Sequence, residues 1–482
     1  MTGRDRRSLL ARLMSSGMAP FPLSYGQQAM WFMDQLRPEA SIAYNVSFAW
    51  AVHGRPDLDA LRRAFEWLVA RHAILRTRYV PIRGIPLQHV DAEAKLEFRV
   101  VDVERDADVG LLLTREAARR FDLASGPLLR VLVVRRPAGR PVLLWSSHHI
   151  AIDGWSIFQI MEELGHAYTA YAAGERPPGG VPTVTYADFV AWQAALVASA
   201  EGRRMKEYWQ RTLREPPAPL ALPTDRPRPA LQGFNGDAHA FSLGEARSAA
   251  VARLAGASDT TVYTTLLAAF QVLLGVTAEQ DRFLLGTWAA GRSHQEFASV
   301  VGDFVNAVVL KADIGGGAGF REIQHRCRAS VLEALAHQDY PFPLLVERLP
   351  VPRDPSRSPL FDVAFTLRSS HRGTLTRTEV GGEAASPLGA PAESERGVLL
   401  ELGALTLSSF PLHQGTVCFD LEAEFIVAGT EISGVFRYNT DLFDTATVAG
   451  LAERYLRVID LVTADPDGPV RVVVGGDRLA RA

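Results

Sequence analysis

Hydrophobic and polar positions recur along this chain with two periods, and each period marks a kind of element. Over residues 57–72, Leu58, Leu61, Phe65 and Leu68 fall at helical spacing while Arg62, Arg63 and Glu66 take another face. This predicts an amphipathic helix with its apolar stripe on a core. Two apolar runs, 129–134 and 142–146, are separated by Arg135-Arg136-Pro137-Ala138-Gly139-Arg140. The separator has turn composition, so the runs read as a hairpin in a well-buried sheet. Beyond it, Ile157, Ile160, Met161, Leu164, Tyr168 and Tyr171 return to helical spacing. Ser156, with Gln159 three residues on, predicts a capping box for that helix. Further along, the pattern predicts a helix near 261–274, a strand near 283–287 and a last helix over about 445–461.

Breakers divide these elements. Pro216, Pro217, Pro219, Pro223, Pro227 and Pro229 crowd into residues 214–236. Neither helix nor strand tolerates that density. The stretch is expected to be an extended linker between a first lobe, 21–213, and a second, 237–470, with a tail over 1–20. A polar, Gly/Ser/Glu-rich run over 368–395 reads as a surface loop or mobile excursion. The glycine cluster Gly315-Gly316-Gly317-Ala318-Gly319 lacks the spacing and following Lys of a phosphate loop and reads as a turn.

Composition narrows the class. A chain of 482 residues, 47% hydrophobic and 22% charged, has ordinary globular composition with room for two to four units of roughly 100–200 residues. A net charge of −3 is too near neutral for a general nucleic-acid binder. Residues 260–278 carry no formal charge, yet five Thr and a Gln there, without a basic flank, favour a buried core helix over a membrane span. The basic start, Arg4 to Arg7, leads into an apolar run that Arg12 interrupts, unlike a signal peptide. With only Cys327 and Cys418, no disulfide framework or four-thiolate zinc site can form, and a cytoplasmic location is expected. Lys95, Lys206 and Lys311 are the only lysines, so few groups could form a Schiff base.

The sharpest chemical signal is Ser146-Ser147-His148-His149-Ile150-Ala151-Ile152-Asp153-Gly154-Trp155-Ser156, where a buried strand ends and a helix begins. Adjacent strand residues face opposite ways, so one imidazole can face a cleft while the other packs behind it. A neutral imidazole can take a proton from an amine or hydroxyl attacking an acyl carbonyl. Asp153 could accept a bond from an imidazole or hold an Arg. The Gly154 N–H could serve a bound carbonyl or a developing oxyanion. No His-Glu-x-x-His, Cys-x-x-Cys or Gly-x-Ser-x-Gly occurs, which argues against a metal site and a serine hydrolase.

His148-His149-x-x-x-Asp153-Gly154 resembles the core motif of nonribosomal peptide synthetase condensation domains and their chloramphenicol-acetyltransferase-like relatives. Six further segments resemble that family's motifs in order. They begin with Ser24-Tyr25-Gly26-Gln27-Gln28-Ala29-Met30-Trp31-Phe32, Arg71-His72-Ala73-Ile74-Leu75-Arg76-Thr77 and Tyr186-Ala187-Asp188-Phe189-Val190-Ala191-Trp192. Gly302-Asp303-Phe304-Val305-Asn306, His337-Gln338-Asp339-Tyr340-Pro341-Phe342 and Arg353-Asp354-Pro355-Ser356-Arg357-Ser358-Pro359-Leu360 complete the set.

The resemblance implies an α/β (α+β) fold of two chloramphenicol acetyltransferase-like lobes in a V with a central tunnel. It implies an acyltransferase that joins a carrier-bound acyl or aminoacyl thioester to an amine or hydroxyl acceptor, forming an amide or an ester. No bound cofactor is expected; the substrates ride on 4'-phosphopantetheine. A donor peptidyl carrier protein is the expected partner, with either an acceptor carrier protein or a free small molecule as the other, and no nucleic acid or membrane. His149 maps to the family's catalytic histidine, with Gly154 beside it. His148, Asp153 and Arg292 map to structural positions, with Arg292 as the expected partner of Asp153. Trp155, Ser156, Asp303 and Asn306 are candidate tunnel or substrate residues. Asp303 departs from the apolar or small residue expected there, as do Ala307 and Ala29 from the usual Thr and Arg at their positions. A small-molecule or coenzyme A-dependent acyltransferase and a catalytically silent recruitment module are the alternatives. The short stretch after the last helix, in which Arg478 of Gly475-Gly476-Asp477-Arg478-Leu479 stands where a carrier's modified Ser would be, leads to the expectation of a stand-alone, trans-acting enzyme.

Overall fold

Alternation along Val142–His148 decides how the first sheet packs. Leu143 and Trp145 enter one core with the helices Leu58–Arg71 and Gly154–Ala172, while Val142 and Leu144 meet Val109 and Leu113 of the helix Asp108–Ala117 on the other side. Both faces are therefore covered, as continuous apolar strands require. Trp145 makes edge contacts with Phe48 and Phe65, with ring centroids 6.1 and 6.2 Å apart, and anchors that core. The strand order is Leu399–Leu402, Leu405–Ser409, Asn45–Val52, Val142–His148, Leu129–Arg135, Glu97–Asp102. All neighbours are antiparallel except the last pair. A small sheet of Phe21–Pro22, Ile85–Val90 and Thr77–Ile82 belongs to the same unit.

The structure is a computed structural model that describes residues 20–349, 353–369 and 399–470. These form two compact units: the first takes residues up to 203, 290–305 and 399–414, the second the rest. In the second, a mixed sheet runs Asn306–Asp313, Arg282–Ala289, Val363–Ser369, Leu421–Ala428, Glu431–Asn439, Gly236–Ser242. Phe270, Phe365, Phe425, Phe436 and Tyr455 interlock in its core, joining sheet to the helices Val262–Thr277 and Thr445–Ala464. The apolar 260–278 stretch is this buried helix, and no single described helix is long and apolar enough to cross a membrane.

Two organisational expectations change. The proline-rich stretch does not run between units. The division after Arg203 falls upstream of it, within the helix Ala200–Thr212, and residues 214–236 belong wholly to the second unit. Proline prevents regular structure there, but the residues between fasten to the unit: Asp225 N–H donates to Leu442 O at 2.9 Å, Arg228 pairs with Asp420 and Gln232 donates to Cys418 O at 2.9 Å. Nor are the units two continuous halves, because 290–305 and 399–414 complete the first. The run expected to loop from 368 begins instead in the strand Val363–Ser369, and its remainder lies outside the described residues, as do the tail up to 19 and the 475–479 segment. The glycine cluster is a turn, with Gly316 and Gly317 at φ 80° and 69°.

Candidate active site

The strand Val142–His148 ends between the two imidazoles, which were expected as adjacent strand residues, and His149 opens a short 3₁₀ turn, His149–Ala151. His148 is fully buried. Its Nδ1 accepts the Ile150 N–H at 3.1 Å, which leaves Nε2–H to donate to Ser41 Oγ at 3.2 Å. Burial, aided by the charge of His149, pushes its pKa down to about 3, so it is a neutral packing group between Tyr44 and Phe121. His149 differs: 34% of its side chain is exposed, and Nδ1 lies 3.1 Å from Oδ1 of the nearly buried Asp303. Burial alone would lower its pKa, but the hydrogen bond and charge of Asp303, with the charge of Asp153, outweigh that and raise it.

Asp153 is the N-cap of the helix Gly154–Ala172, and its Oδ1 accepts the Ser156 N–H at 2.7 Å. The capping box expected from Ser156 and Gln159 is thus corrected: the helix starts earlier, and Gln159 donates to Glu163 instead. Asp153 also receives Arg292 Nη2 at 3.1 and 3.2 Å and the Phe304 N–H at 3.1 Å. Arg292 Nη1 donates to the carbonyls of Phe297 and Val300, and its guanidinium lies 3.9 Å from the Phe304 ring centre. A fully buried carboxylate thereby folds residues 292–304 around itself. Gly154 opens the helix without a left-handed φ, and nothing lies within 4 Å of where its Cβ would stand.

Three of the four candidate substrate residues are otherwise engaged. Ser156 is fully buried, its hydroxyl donating to Gly302 O and accepting from Gly302 N–H and Arg292, so the expectation that it meets substrate is corrected. The Trp155 indole donates to Ala298 O at 2.9 Å. Asn306, in the second unit, donates to Gln338 O and Tyr340 O and accepts from Phe342 N–H, which is a backbone-satisfying role. Asp303 alone reaches the imidazole.

A family model described as Condensation domain matches residues 19–474. The chain belongs to the condensation-domain family. It is 35% identical over 451 residues to the chondramide synthase of Chondromyces crocatus, covering 92% of this chain and 11% of that protein. It is 32% identical to a phosphinothricin tripeptide synthetase of Streptomyces viridochromogenes, covering 94% of this chain and 37% of that one. The chain therefore spans a small part of these relatives. Among solved structures it is similar to the X-domain from teicoplanin biosynthesis, at 25% identity and TM-score 0.81, covering 93% of this chain and 96% of that one. Condensation domains are acyltransferases of nonribosomal peptide synthesis that work on substrates carried by phosphopantetheine on carrier proteins.

In this condensation domain the opening motif also reaches this turn, and the fourth motif reaches Asp303, contacts that the sequence did not predict. Gln27 of the opening motif donates to Ile150 O and Tyr79 OH, each at 3.0 Å, and Tyr79 donates to Ile150 O at 3.2 Å. Tyr186 of the fourth motif donates to the Asp303 carbonyl and lies 3.0 Å from Ser24 Oγ. The available signal was Ser24 and Gln27 at capping-box spacing in the opening motif. Among the described residues no cluster of His, Cys, Asp or Glu could hold a metal ion.

Proposed function

We propose that this condensation domain transfers an acyl or aminoacyl group from a thioester on a donor carrier protein's phosphopantetheine arm to an amine or hydroxyl acceptor, carrier-bound or free. The observation that carries this is His149, a partly exposed imidazole at a rigid strand end with Nδ1 against a carboxylate. With Nδ1–H donated to Asp303, Nε2 is the proton acceptor. The acceptor's lone pair attacks the thioester carbonyl while its proton passes to Nε2. The tetrahedral oxyanion then collapses, the C–S bond breaks, and His149 returns the proton to the departing thiolate. The product is an amide or ester and a free thiol. The Gly154 N–H, at the start of a 19-residue helix and on a residue with open space where a Cβ would stand, is suited to the oxyanion.

The testing experiment compares a donor on its carrier protein with the same acyl group on free pantetheine or coenzyme A. A much higher kcat/KM for the carrier-bound donor is expected; equal values would replace this reading with a small-molecule acyltransferase. Likeness to the X-domain, which has also been solved in complex with OxyB, supports recruitment of a partner protein as the second reading. Absence of product with any carrier-bound donor, together with stable binding of a partner protein, would favour it.

A further inference from the structure

Asp303 stands where the resemblance leads one to expect an apolar or small residue, and its side chain is only 5% exposed. A buried carboxylate is costly unless something holds it. We propose that Asp303 is a positioning residue for the transfer reaction: its carboxylate holds Nδ1–H of His149 and so fixes the tautomer whose Nε2 receives the acceptor's proton. This rests on the reading of His149 as the base.

The geometry around Asp303 is fixed from several sides. On one flank the Gly302 N–H and C=O are both held by Ser156 Oγ, at 3.1 and 3.0 Å. On the other, the Phe304 N–H is held by Asp153 Oδ2 at 3.1 Å. Between them the Tyr186 phenol donates to the Asp303 carbonyl. Three consecutive residues are thus anchored by groups that do not touch the Asp303 carboxylate, which leaves Oδ1 at 3.1 Å from the imidazole. Gly26 lies on the far side: a Cβ there would stand 3.4 Å from Asp303 Oδ2, in ordinary van der Waals contact.

The charges facing His149 come from several elements. Asp303 and Asp153 both favour its protonated form, and Asp153 is itself matched by Arg292. His148, on the adjoining strand, is neutral. Tyr79 and Tyr186 are pushed up by burial first and the charge of Asp303 second, so they remain neutral phenols. Burial raises Asp303 too, against the pull of His149. Asp303 raises His149 first through its hydrogen bond and then through its charge; neutralising it removes the charge and weakens the bond, and the burial that lowers His149 remains.

The test begins with the wild-type protein and histidines labelled with ¹⁵N, the His149 signals being assigned by their loss in His149→Ala. Above its pKa, His149 is expected as the Nδ1–H tautomer; the Nε2–H tautomer would overturn the proposal, whatever the variants do. In Asp303→Asn the His149 pKa is expected to fall by about one unit or more. The acidic limb of kcat should move to lower pH with it, and kcat should drop about 10-fold or more with donor KM little changed. His149→Ala is the reference. If it turns over like wild type, the base reading falls and this inference with it. If it is inactive while Asp303→Asn keeps wild-type kcat and an unmoved acidic limb, only the role of Asp303 is refuted. Should Asp303→Asn fail to fold, the wild-type tautomer decides.

Discussion

Each unit contains a hairpin whose second strand passes through a short turn into a long helix, and only one of the two turns carries imidazole. In the first unit Leu129–Arg135 and Val142–His148 lead to Gly154–Ala172; in the second Leu421–Ala428 and Glu431–Asn439 lead to Thr445–Ala464. The last strand residue precedes the helix cap by the same interval, from His148 to Asp153 and from Asn439 to Asp444. The two strand ends do the same work. His148 Nδ1 accepts the N–H two residues on at 3.1 Å, and Asn439 Oδ1 accepts the equivalent N–H of Asp441 at 2.9 Å. Both side chains are buried, and both turns sink their next apolar pair, Ala151 and Ile152 or Leu442 and Phe443.

The next position and the cap separate the two. Thr440 takes the place of His149. Asp444 is about half exposed and pairs with the exposed Arg226, whereas Asp153 is fully buried and holds the buried Arg292 and the Phe304 backbone. Strand, turn and helix are thus a scaffold available to either unit. In the first unit the cap is buried deeply enough to gather a distant segment, which brings a second carboxylate to the partly exposed imidazole.

The largest effect that tests this contrast is on turnover. His149→Ala is expected to lower product formation about 10²-fold or more with the fold intact, since general-base removal typically costs that much. Thr440→Ala should stay near wild type. Equal losses in a carrier-bound assay would break the distinction between the two turns.

The caps should differ in stability. Asp153→Ala leaves Arg292 buried without its counter-charge and is expected to cost ~3–5 kcal/mol. Asp444→Ala removes an exposed pair and should cost no more than about 1 kcal/mol. Chemical denaturation measures both, and comparable midpoints would show that burial of the first cap does not matter.

A smaller effect tests the equivalence of His148 and Asn439. His148→Ala leaves the Ile150 N–H without its acceptor, a loss of ~1–3 kcal/mol. His148→Asn supplies the acceptor found in the other unit and should recover part of that loss. Identical melting temperatures for the two variants would refute the shared role.

The two histidines also bend the pH profile in opposite directions. With His148 lowered from 6.5 to about 3, the unfolded chain binds a proton that the folded chain refuses, so stability falls as pH drops through that window. His149 is raised, so the folded chain holds a proton the unfolded chain has released just above 6.5, and that contribution is lost as pH rises through its folded pKa. His148→Asn should flatten the acid-side loss; an unchanged slope of melting temperature against pH between about 6.5 and 3 would assign that loss to other groups.

Local pattern made much of this legible. The amphipathic helix over 57–72, observed at Leu58–Arg71 with Asp57 as its cap, needed only residue spacing, and so did the 129–146 hairpin. Both depend on interactions between near neighbours, which sequence periodicity records. The capping error at Ser156 came from the same rules: two side chains in the right spacing satisfied a local signature, while Asp153, stabilised by a distant Arg, was the stronger cap.

The sequence by itself determined the element types, the separation of the two imidazoles and the membership signalled by ordered motifs. Only the tertiary structure decided which residues complete the first unit, where the proline-rich stretch lies, and that Asp303 meets His149 across 154 intervening steps of chain at 3.1 Å. The reason is physical. Periodicity reports which face of an element avoids water, but not which distant segment covers it. Here the choice of segment rests on the demand of a buried carboxylate, Asp153, for charge and hydrogen bonds that no neighbour in the sequence could supply in full.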